Sequence, residues 1–166
     1  MSCSTSSTLV KTAPINDEKT FNLVEQQVHM IDSYISKIDS KVKNNTDFTI
    51  NDLVIHGNLR IITTDEFRKD VVLKNKSIVR VKYNNHLHNN FIKSNVFYYD
   101  KNELVCIKIQ DILPNEHNKS TVYKRIIYIK DNYPILDSDT DNLENPINDL
   151  VHKGLEYLKD EYSSLH

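Results

Sequence analysis

From Phe21 to Val42 the apolar residues Phe21, Val24, Val28, Ile31, Ile35, Ile38 and Val42 recur at alternating spacings of three and four. Side chains spaced this way return to one stripe of an α-helix, so the stretch predicts a single amphipathic helix ending near "KNN". The repeat is strictly heptad, which leaves a coiled coil, and with it a dimer, as the competing expectation. After Phe48 the period drops to about 2, the period of strands. "SIVRVKY" sets Val79, Val81 and Tyr83 on one face and Arg80 and Lys82 on the other. "NVFYYD" and "LVCIKIQ" flank Asp100, Lys101, Asn102 and Glu103, whose turn chemistry predicts a hairpin. "TVYKRIIYIK" adds a longer strand, "DNYP" a turn and "ILD" a short last strand, while "LRIIT" and "DVVLK" are expected as strands at one edge.

A second helix is expected after "LENPIND". Asn145 would cap it, Pro146 would take its first position, and Ile147, Leu150, Val151, Leu155, Leu158 and Tyr162 would form its buried stripe. The fold class read from this order is α+β: an antiparallel β-meander sheet packed by an N-terminal and a C-terminal amphipathic helix. Residues 1–19, rich in Ser and Thr at their start, read as a flexible tether, and residues 20–166 as one domain with no repeat of a whole unit.

Charge and composition narrow the function classes. A formal net charge of −2 on 166 residues gives no basic field for phosphate backbones, so nucleic acid is not an expected partner. No run approaches the roughly 18 apolar residues that a membrane span needs. With only Gly57 and Gly154 in the chain, a glycine-rich phosphate loop cannot be built, and no Gly-x-Ser-x-Gly elbow or histidine-activated nucleophile is recognisable. The chain therefore reads as non-enzymatic and without a cofactor. Asp65 with Glu66, and Asp160 with Glu161, read as surface charges.

Two stretches carry metal-ligand residue types. In "YNNHLHNN", His86 and His88 are two apart and would share one side of a strand, but their asparagine neighbours are turn formers and predict a solvated polar loop. In "DSDTDNLENPIND", Asp137, Asp139 and Asp141 take the first, third and fifth positions of a calcium loop. The twelfth position is Asn148 rather than a bidentate Glu, so the three aspartates stand as weak calcium candidates beside a plainer role in favouring the following helix N-terminus. Tyr98, Tyr99, Tyr123 and Tyr128 fall in expected strands and are read as covering the half-exposed side of the sheet, with an aromatic binding face as the alternative.

The chain has two cysteines. Cys106 lies in the apolar run "LVCIKI" and reads as a small core residue, while Cys3 sits in the tail and is either an acylated anchor or inert. Three features bear on that choice: "SCS" followed by the Ser/Thr tether, a first helix ending in "IDSYISKIDSKV", and "VFYYDKNELVCIKI" paired with "VYKRIIYIKDNYPI". Together they resemble small lipoproteins of the Bacteroidetes type. The resemblance implies an exported protein of the cell envelope, periplasmic or at the surface, held to the membrane only by a lipid on Cys3 and binding an unknown protein or small ligand through its sheet face or loops. A cytoplasmic immunity-type protein, which covers and inhibits a toxin, is the alternative that a small, acidic, motif-free chain also fits.

Overall fold

The computed structural model describes residues 17–43, 54–56, 59–63, 67–87, 91–114, 119–142 and 144–164. Cys3, residues 1–16 of the expected tether and His88 lie outside them. Helix α1 (Asp17–Lys43) is followed by strands β1 (Val54–His56), β2 (Leu59–Thr63), β3 (Phe67–Lys74), β4 (Ser77–His86), β5 (Ile92–Asp100), β6 (Glu103–Pro114), β7 (Lys119–Lys130) and β8 (Tyr133–Asp137), then helix α2 (Ile147–Ser163). The strands form one antiparallel sheet in chain order, each hydrogen-bonded to the next. This is the expected α+β meander with a helix at each end of the chain.

Three hairpins of the meander share one construction. The turns Asn75–Lys76, Lys101–Asn102 and Asp131–Asn132 have both central residues at positive φ, the geometry of tight two-residue turns whose twist matches that of paired strands. In each, the third residue after the turn is an extra one: Val72 pairs with Arg80 and Leu73 with Ile78, leaving Val79 unpaired, and Val105 and Ile135 are left over in the same way. A bulge places two consecutive side chains on one face. Here it turns Val79 with Arg80, and Val105 with Cys106, toward α1. The shared construction lies in backbone geometry alone, since the turn residues NK, KN and DN differ.

The two helices cover opposite faces. One core holds Val71, Val81, Phe97, Tyr99, Leu104, Ile107, Ile127 and Ile129 under Leu150, Val151 and Leu158 of α2. The other holds Val79, Val96, Tyr98 and Cys106 under Ile35 and Ile38 of α1. Tyr98, Tyr99 and Tyr128 are therefore buried rather than half-exposed, because the sheet has a helix on each side of its central strands. Their hydroxyls find partners at the helices: Tyr99 donates to the Gly154 carbonyl at 2.7 Å, Tyr128 to Asp32 at 2.8 Å and Tyr98 to both Asp39 oxygens at 2.9 and 3.0 Å. Burial without such partners would be costly.

Each helix departs from its expected form in one respect. α2 starts at Ile147, one residue later than expected, so that Pro146 rather than Asn145 takes the cap position and, having no side-chain acceptor, leaves the helix without a side-chain cap; the Asn145 carbonyl accepts from Arg125. α1 begins at Asp17, before the expected end of the tether, and its apolar stripe is fully buried only at Ile35 and Ile38. Phe21, at the head of that stripe, is exposed.

Candidate binding site at the β8 rim

Strand β8 pairs with β7 and with no other described strand, so it ends the sheet. Behind it lies a polar framework centred on Arg125. This residue occupies an inward position of β7 in phase with Tyr123, Ile127 and Ile129, and is almost fully buried. Its Nε and Nη2 donate to the two oxygens of Asp137 at 2.9 and 2.7 Å, and its Nη1 donates to the Asn145 carbonyl at 2.8 Å. The fork geometry of a guanidinium suits this bidentate contact. Arg125 hydrogen-bonded to Asp137 holds the carboxyl below the usual carboxylate range, and the carboxylate in turn raises the guanidinium.

The loop into α2 is tied to the same framework. The Asp139 backbone N–H donates to Asp137 at 3.0 Å, Tyr123 donates its hydroxyl to Asp139 at 2.6 Å, and the Asn142 amide donates to the Tyr123 oxygen at 2.7 Å. Burial, with the Asp139 bond next, pushes the Tyr123 hydroxyl above its ordinary pKa. The three aspartates proposed for calcium thus have separate positions: Asp137 grips a guanidinium, Asp139 accepts from a tyrosine, and Asp141 is exposed. Among the described residues no three His, Cys, Asp or Glu side chains gather as a metal site requires. His86 closes β4 and is exposed.

Against this framework the rim offers two concavities. A cavity of 430 Å³ is lined by Arg125, Pro134, Leu136, Thr140, Asn142 and Ile147 among others, and a smaller one of 250 Å³ lies between α1 and the β7–β8 hairpin. Leu23, Val24 and Met30 of α1 face Lys130 and Ile135 across the smaller one. The chain's approach explains this: α1 contacts β4–β6 at Asp39, β7 at Asp32 and β8 near Val24, so its first turns run over and past the sheet edge. Leu23 and Met30 of α1, which border the smaller concavity, and Leu136 of β8, which borders the larger, are exposed, as are Phe21 and Tyr133.

Away from the rim, Arg80, Cys106 and Glu161 are buried, Glu161 against the expectation of a surface charge. Asp39 receives Arg80 at 3.3 Å and Lys108 at 3.6 Å between α1 and the sheet. Burial pushes the Cys106 thiol up to about 12 and the Tyr34 hydroxyl to about 12. A thiol so protonated is a packing residue rather than a nucleophile. Sequence reasoning did not single out Arg125, Tyr123 with Asn142, or the first half of α1 as a group. The available signal was a charged residue in phase with the inward residues of "YKRIIYI". Comparison of the chain with protein-family models, with curated proteins and with solved structures finds no match.

Proposed function

We propose that the protein is a non-catalytic binding module that takes a partner polypeptide at the β8 rim, and that it works in the cell envelope, anchored by a lipid on Cys3. The observation that carries the binding reading is a terminal strand with two concavities that share Ile135, one bordered by the exposed Leu23 and Met30 and the other by the exposed Leu136. Such patches on soluble domains are characteristic of interaction sites. With helices over the central strands on both sides, the rim and loops, rather than an outer sheet face, are the surface offered to a partner. Pro134, which has no N–H to donate, and the bulge at Ile135 both disfavour addition of a further strand to β8. Recognition at the rim is therefore by side chains.

The test is a selection of displayed peptides against the full chain. Binders should carry apolar anchors, and Leu23→Glu with Leu136→Lys should abolish their binding while the far-UV spectrum and unfolding midpoint stay unchanged; binders indifferent to both substitutions refute the rim. Mass spectrometry of the natively expressed protein tests the anchor. An acyl adduct on Cys3 supports the envelope reading, and an unmodified Cys3 in the soluble fraction favours the cytoplasmic, immunity-type one, which would use the same rim.

A further inference from the structure

We infer that the partner segment taken at the β8 rim is cationic, with an apolar anchor side chain seated in the larger concavity and Lys or Arg beside it at the mouth; the inference rests on the rim being the binding surface. The walls of that concavity are of two kinds. Pro134, Leu136, Pro146 and Ile147 are apolar. The polar side chains Arg125, Asp137 and Asn142 are engaged inside the protein: the guanidinium with Asp137 and the Asn145 carbonyl, the Asn142 amide with Tyr123 and the Asn145 N–H. Asp137, in contact with Arg125, cancels its charge. A hydrocarbon side chain suits such an interior, whereas a buried charge would find nothing there to pair with. The volume of 430 Å³ falls in the range of about 300–1,000 Å³ of sites that enclose small molecules, ample for one large side chain.

The chain around the concavity carries charge of one sign. From Asp131 to Asp149 there are six carboxylates and no Lys, Arg or His. The whole chain has a formal charge of −2, so its other residues together carry +4, the difference between −2 and −6. Asp139 and Asp141 each lie next to the wall residue Thr140, Glu144 is two residues before Pro146, and Asp149 is two after Ile147. Two residues span at most about 7 Å of backbone, inside the Debye length of about 8 Å at physiological salt, so the four fields add at the mouth. Asp141, Glu144 and Asp149 are exposed. The positive end of the α2 dipole amounts to about half a charge and already has Asp149 in its first turn, so it does not reverse the sign. Lys130 lines the smaller concavity, which singles out the larger one for a cationic partner. Lys and Arg carry their charge on long apolar stems, so one short segment can both fill the concavity and reach the carboxylates.

Selection of displayed peptides against the full chain at low salt, followed by fluorescence anisotropy of the synthesised binders, tests this. The binders should be enriched in Lys and Arg beside an apolar anchor. They should lose about tenfold in affinity for Asp141→Asn/Glu144→Gln and weaken in 1 M salt, where the Debye length is about 3 Å. Both replaced side chains are exposed, so the unfolding midpoint should stay unchanged. Glu156→Gln/Asp160→Asn makes the same change in net charge further along α2 and should leave the affinity as it was. Binders without Lys or Arg, or cationic binders that respond equally to the two pairs, overturn the inference. If those binders are still lost on Leu136→Lys, the rim stands and only its preference for cations falls. Binders indifferent to Leu136 as well, or no binders at all, overturn both readings. A chain that sediments at twice 19.4 kDa, and as a monomer after Leu136→Lys, gives the concavity to a second copy and overturns the inference too.

Discussion

Replacing Asp137 by Asn removes the counter-charge of a guanidinium that water does not reach. The side chains of Arg125 and Asp137 are only 2 % and 6 % exposed, and they meet through two charge-assisted hydrogen bonds of 2.9 and 2.7 Å. Breaking a buried pair from one side costs about 3–5 kcal/mol, because the surviving charge keeps its desolvation penalty. Asn retains one acceptor oxygen, so the expected loss for Asp137→Asn is about 3 kcal/mol, a substantial part of the about 5–15 kcal/mol available to a domain. The paired replacement Arg125→Met/Asp137→Leu leaves no buried charge and strands only the Asn145 carbonyl and the Asp139 N–H, so it should lose about 2 kcal/mol, less than the single replacement. Urea unfolding followed by far-UV circular dichroism measures both. The pH dependence has a definite sign. The folded-state pKa of Asp137 is depressed, so its contribution is complete above the unfolded value of about 3.9 and is lost as pH falls through the folded value. The gap between wild type and Asp137→Asn must therefore narrow in acid. A loss below about 1 kcal/mol at neutral pH, or a gap that persists undiminished in acid, would refute the reading of this pair as the anchor of the rim.

Further outcomes follow from the packing. Lys76→Gly relieves a non-glycine residue at φ 67° in the β3–β4 turn and should stabilise the chain by about 0.5–1 kcal/mol in the same unfolding assay. Gly154→Ala places a Cβ 2.8 Å from Leu104 Cδ2 and 2.9 Å from Phe97 Cδ1, both fully enclosed. Overpacking of about 1–3 kcal/mol then outweighs the helix-propensity gain of about 1 kcal/mol, and a higher unfolding midpoint would contradict the packing described. Tyr99→Phe leaves the Gly154 carbonyl without its 2.7 Å donor and should lose about 1–2 kcal/mol. In a Cys3→Ser chain, Cys106 should react with a thiol reagent only at the rate of unfolding, and prompt labelling at neutral pH would disprove its burial.

Periodicity alone determined the element types and their order. The shift from spacings of three and four to alternation reflects local backbone geometry, which each segment carries by itself, and so the α+β meander, the Lys101–Asn102 and Asp131–Asn132 turns and the two amphipathic helices were legible from residue types. Cys106 was legible as core for the same reason, since it sits inside an apolar run. What periodicity could not carry is which face each helix covers. An apolar stripe is equally satisfied on either side of a sheet, and only the placement of α1 and α2 on opposite sides turned Tyr98, Tyr99 and Tyr128 from surface aromatics into core residues with hydroxyls bonded to helix groups. The fate of the Asp137 loop was likewise a long-range matter: its sequence spacing is that of a cation loop, but the cation beside Asp137 is Arg125, delivered from the neighbouring strand by sheet register. The rim itself arises the same way. The stripe from Phe21 to Val42 is uniform in sequence, and only the sheet beneath it decides that Ile35 and Ile38 are buried while Phe21, at the head of the same stripe, is exposed.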